Sequence, residues 1–93
     1  MKYETIARGH RLEAFGAHSG YRIRMSTLAA LTPKDLETWP VNVYVRGSES
    51  EEEVKVDVPK RRLASATEAF DHGYECAVLW IDALDHRLHD DRL

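Results

Sequence analysis

A chain of 93 residues with a formal charge of −3 and one cysteine has room for a single domain with a thin core, because a fold this small buries only about 60–65% of the surface its unfolded chain exposes. Cys76, the lone cysteine, excludes a disulfide framework and suits a reducing compartment. The opening MKYETIARGH lacks the apolar run of a secretory signal, and no apolar stretch in the sequence is long enough for a membrane span. A soluble, cytoplasmic, single-domain protein over residues 1–93 is therefore expected. The charge is uneven. Residues 1–47 hold seven Lys/Arg and four Asp/Glu, and residues 48–93 hold six and twelve. A basic first half and an acidic second half can attract each other, within one fold or between copies.

Residues 1–58 read as a strand meander. YETIAR and RLEAFGA flank Gly9-His10, a turn or bulge signal, and Ser19-Gly20 marks a second turn. In YRIRMSTL, Tyr21, Ile23 and Met25 alternate with Arg22, Arg24 and Ser26, the period of a half-buried strand. TPKDLETW changes character: Thr32 can cap, Pro33 suits a first helical position and Asp35 falls in the first turn, so a short helical turn is expected near 33–38. VNVYVR and EVKVDV put Val41, Val43 and Val45, then Val54, Val56 and Val58, on one face. Joined by the acidic GSESEEE, they form the clearest hairpin signal in the chain.

The remainder reads as one long helix, 66–89. Ser65 and Glu68 have capping-box spacing. Ala66, Ala69, Phe70, Gly73, Ala77, Trp80, Ile81, Leu84 and Leu88 fall on one stripe of the wheel, with Glu68, Asp71, Glu75, Asp82 and His86 opposite. Gly73 sits within the stripe, where a close approach to a sheet would explain it. The expected architecture is α+β: an antiparallel meander of three to five strands with the helix packed on one face. Periodicity leaves open which face, since a one-residue slip in register exchanges them.

Four features compete to carry function. Asp82, His86 and His89 lie close on the wheel and form a candidate metal set, although they project from the polar side of a helix end and no cofactor is expected. His10, His18 and His72 are scattered, Cys76 has no nucleophile signature, and there is no glycine-rich phosphate loop or nucleophile elbow, so an enzyme is not expected. If the valines face the helix, Arg22, Arg24, Tyr44 and Arg46, with Lys55, face outward. Arginines around an aromatic share the chemistry of platforms that bind single-stranded nucleic acid. A solvated face with cross-strand pairs such as Arg46 with Asp57 is the plainer alternative. Finally, Trp39, Val78 and Leu79, together with the open edges of a meander, are candidate dimer contacts.

Two resemblances bear on these readings. The opening YETIARGHRLEAF, with Gly9, His10 and Leu12, and the helix with Glu68, Ala69, Gly73, Trp80, Ile81 and Asp82 resemble small stand-alone domains of Burkholderia-type and related proteobacteria. That likeness implies a bacterial strand-meander-plus-helix fold and no particular chemistry. The helix start is also similar to that of antitoxins that pair a partial ribonuclease-H-like sheet with a helix, with a spacing one residue shorter here. The reading these features favour is a non-catalytic binding or accessory domain of unknown protein partner, acting as a homodimer. The alternative is a nucleic-acid-binding or antitoxin-like regulator using the basic sheet face.

Overall fold

The computed structural model describes residues 2–28, 39–47 and 52–90, with 85–90 described by backbone alone. Strands β1 (Tyr3–Arg8), β2 (Arg11–His18), β3 (Tyr21–Leu28), β4 (Val41–Arg46) and β5 (Val54–Val56) precede helix α1 (Ala66–Asp90). The strands lie in chain order β1-β2-β3-β4-β5 in one antiparallel sheet. The expected α+β meander with a C-terminal helix is what the chain forms. The helical turn expected near 33–38 lies outside the described residues.

Local chemistry sets the turns. Arg8 pairs with Arg11 across Gly9-His10, and His18 pairs with Tyr21 across Ser19-Gly20. Gly9 carries φ +60°; Ser19 and Gly20 carry φ +51° and +83°. Two-residue hairpins need such angles because only the primed turns match the twist of the strands they join.

Alternation then sorts the side chains. Ala14, Ile23, Met25, Val43, Val45 and Val56 are buried on one face, where they meet Ala69, Phe70, Ala77 and Ile81 of α1. Of the expected helix stripe, Ala69, Phe70, Gly73, Ala77 and Ile81 are buried, Ala66, Trp80 and Leu84 are partly buried, and the side chain of Leu88 lies outside the described residues. Gly73 lies close against the sheet. A methyl placed there would lie 2.9 Å from Val43 Cγ2, 3.1 Å from Val41 Cγ2 and 3.2 Å from Met25 Sδ. The valine face is therefore the covered face, which resolves the ambiguity that periodicity left. The hairpin β4–β5 is shorter than its sequence pattern: β5 ends at Val56, Val54 is 49% exposed, and Val58 packs against the core from beyond the strand.

The helix start is fixed by its own side chains. The Glu68 amide donates to Ser65 Oγ at 3.1 Å, and Glu68 reaches back to accept from the Ala64 amide. This is capping-box logic, shifted one residue toward the N-terminus on the return arm. The segment before it is tied to the helix by buried His72, whose Nε2–H donates to the Pro59 carbonyl at 2.9 Å.

Candidate anion-binding sheet face

The face of the sheet turned away from α1 is built by the alternate residues of each strand. Register places Arg22 opposite Arg46, Arg24 opposite Tyr44 and beside Phe15, and Lys55 opposite Tyr44 on its other side. The four residues expected to form an outward basic face, Arg22, Arg24, Tyr44 and Arg46, thus occupy one contiguous patch. Among the described residues, the strands place Arg8, Arg11, Arg22, Arg24, Arg46 and Lys55 on this face with Glu4 and Glu13, and Glu53 reaches Arg24 from just before β5. On the other side, α1 from Ala66 to Leu84 holds Glu68, Asp71, Glu75 and Asp82 and no Lys or Arg. The uneven charge of the two halves becomes a difference between the two sides of the fold.

The centre of the patch is Arg24. Its guanidinium carbon lies 4.3 Å from the centroid of the Tyr44 ring. Its Nε and Nη2 each donate to a different oxygen of Glu53 at 2.9 Å. A planar fork gripping a carboxylate through two parallel bonds, with an aromatic ring beneath, is the strong form of arginine recognition. The hydrogen bond from Arg24 holds the Glu53 carboxyl below the usual range, and the charges of Arg24 and Arg46 add to it. Glu53 reciprocally raises the pKa of Arg24 through the same hydrogen bond. Phe15, Arg22, Arg24, Arg46 and Glu53 line a shallow groove of about 480 Å³.

Arg22 and Arg46 stand directly across from each other on neighbouring strands. Like charges in that position repel. Glu53 offsets part of the repulsion, and an incoming anion would offset more.

Around this centre the face is less strained. Arg8 Nε pairs with Glu13 Oε2 at 3.2 Å, and Arg11 Nη2 donates to Ser26 Oγ at 3.3 Å. β5 ends at Val56, one residue before Asp57, and Arg24 of β3 forms its ion pair with Glu53, which precedes β5. Glu53 and Phe15 were not singled out from the sequence. The signal for Glu53 was available: the β4–β5 register continues from Val45–Val54, bringing residue 53 alongside Arg46. The acidic run masked it, because such a run reads as a solvated turn.

The other expected sites fall elsewhere. Asp82 Oδ1 accepts from His18 Nε2–H at 2.8 Å, linking the β2–β3 turn to the helix; the side chains of His86 and His89 lie outside the described residues. Trp39 is half-buried, and its indole N–H donates to the Leu28 carbonyl at 3.0 Å. It lines a hollow of about 220 Å³ with Val58, Pro59, Lys60, Arg61 and His72. Val78 is half-buried and Leu79 is 69% exposed on the helix. Burial pushes the Cys76 thiol up, which keeps it in the protonated, weakly nucleophilic form.

Comparison with protein-family models, with curated proteins and with solved structures gives no match. No helix among the described residues is long and apolar enough to cross a membrane.

Proposed function

We propose that the protein is a small non-catalytic binding domain, acting as a homodimer, whose sheet face turned away from α1 takes an acidic segment of a protein partner. One observation carries this reading: a carboxylate, Glu53, is already seated on Arg24 and Tyr44 with two 2.9 Å bonds. It marks the chemical group that the surface accepts. The opposed Arg22 and Arg46 add positive charge beside it. A short chain segment that carries its own carboxylates would displace Glu53 and bridge the three arginines.

Single-stranded nucleic acid on the same face is the second reading. The observation that favours it is the cation–aromatic pair of Arg24 and Tyr44, since bases stack on such surfaces. The charge of Glu53 opposes a phosphate and an incoming carboxylate alike; what favours the first reading is the two-bond carboxylate geometry that Arg24 already holds.

Fluorescence anisotropy with a labelled glutamate-rich peptide and, in parallel, a labelled single-stranded oligonucleotide separates the two. The expected result is peptide binding that weakens with salt and falls at least tenfold, about 1.4 kcal/mol, in the double variant Arg22→Gln/Arg46→Gln. Tight oligonucleotide binding with a steep salt dependence and no response to the peptide would replace this reading with the nucleic-acid one.

A further inference from the structure

β1 is the first strand in the sheet order and pairs with β2 along its whole length, Tyr3 to Arg8, in unbroken register. Among the described residues, no strand receives the backbone N–H and C=O groups on its other side. Helix α1 lies chiefly across β3 and β4, and the residues from Glu4 to Arg8 are all exposed. The opposite edge is blunt, with three residues in β5 and Pro59 just beyond. β1 contains no proline and no bulge, two of the usual devices that protect an edge from pairing. It does carry charges, Glu4 and Arg8, but they are of opposite sign and equally spaced about Ile6, a large apolar side chain that is 44% exposed.

That spacing is self-complementary. An antiparallel copy related by a two-fold axis at Ile6 sets Ile6 against Ile6 of the second copy, Glu4 against Arg8, Arg8 against Glu4, and Thr5 against Ala7. Opposed residues of an antiparallel pair share a face, and Glu4, Ile6 and Arg8 all lie on the outer face while Thr5 and Ala7 lie on the helix side. The neighbouring two-fold register, centred on Thr5, is worse in each respect. It sets Glu4 against Ile6 and Lys2 against Arg8, losing the apolar pair and opposing two cations.

We infer that β1 is a self-pairing edge, through which two copies join across a two-fold axis at Ile6 into one continuous ten-stranded antiparallel sheet. This deepens, and rests on, the homodimer reading above. It also gives that reading a use. The two-fold axis is perpendicular to the sheet, so both basic faces point the same way, and an acidic partner with two acidic segments could engage both at once.

The test uses the full chain in three forms. Light scattering across a concentration series should give twice the chain mass of 10.7 kDa for the native protein and the single mass for Ile6→Lys. Ile6 lies at an exposed edge, so that variant keeps the core, and circular dichroism checks that it does. In a Cys76→Ser background, Ile6→Cys should oxidise to a disulfide-linked dimer, whereas Thr5→Cys should cross-link far less, because only residue 6 faces itself in the proposed register. A dimer that survives Ile6→Lys, with no cross-link through Ile6→Cys, would overturn edge pairing and leave the homodimer reading standing on another surface. A native chain that stays monomeric at every concentration would overturn both.

Discussion

At the scale of residues, three positions carry strain or charge that a measurement can read. Tyr3 donates from its phenol to Asp71 Oδ1 at 2.6 Å, with its ring edge-on to Phe70 and tilted against Tyr74. Burial, with the hydrogen bond and charge of Asp71 added, pushes the phenol up to about 12 from 10.0. A group whose folded pKa is raised stabilises the fold below its unfolded value and loses that contribution as pH rises through the folded one. Stability should therefore decline between pH 10 and about 12, and Tyr3→Phe should remove that part of the decline when melting is followed against pH. Ser19 holds φ +51°, a left-handed conformation that costs a non-glycine residue about 1–2 kcal/mol and that asparagine tolerates better. Ser19→Asn should raise stability by several tenths to about 1 kcal/mol in chemical denaturation. At Gly73, alanine would gain about 1 kcal/mol of helix propensity but would place a methyl 2.9 Å from the buried, stiff Val43. Overpacking costs about 1–3 kcal/mol, so Gly73→Ala should destabilise on balance. The sequence indicated a close approach at Gly73 because a glycine interrupts an apolar stripe. It could not indicate Tyr3 with Asp71, since nothing local relates residues so far apart in the chain.

At the scale of elements, pattern was sufficient where the periodicity was strong. The alternation of Tyr21 to Leu28 and Val41 to Arg46 is the alternation of β3 and β4, and the Ser65–Glu68 spacing is the helix start. Replacing the capping hydroxyl, Ser65→Ala, should cost about 1 kcal/mol, read as a lower denaturation midpoint with an unchanged slope. The pattern misled at β5, where three alternating valines suggested a longer strand than Val54–Val56. Val58 is apolar because it packs on the core from outside the strand, and alternation alone does not separate those cases. The Asp82, His86, His89 spacing was legible as a cluster on the helix. The bond from His18 to Asp82 depends on where the β2–β3 turn comes to rest beside the helix, which is a tertiary fact.

At the scale of the molecule, the fold separates charge. The helix side is acidic and the outer sheet side basic, and the one strong ion pair at the centre of the basic side is made with a residue from the acidic loop. That pair is partly exposed, so its direct worth to stability is no more than about 1 kcal/mol. Its larger effect is to occupy Arg24. If the face takes acidic segments, Glu53→Gln should leave melting nearly unchanged while strengthening peptide binding several-fold, as anisotropy would report. The Glu53 carboxyl sits low because Arg24 binds it, so its hold is present above the ordinary carboxylate pKa and is lost as pH falls through the lowered value.

We propose the sheet face turned away from α1, centred on Arg24, as the binding surface. The most direct measurement is a nitrogen-15 NMR titration of the native chain with a glutamate-rich peptide. The expected result is progressive, salt-sensitive shifts at Phe15, Arg22, Arg24, Tyr44 and Arg46, and at the Arg24 side-chain Nε as it exchanges Glu53 for the peptide. Shifts confined to α1 or to the hollow around Trp39 and Arg61, with that arginine side chain unmoved, would contradict it.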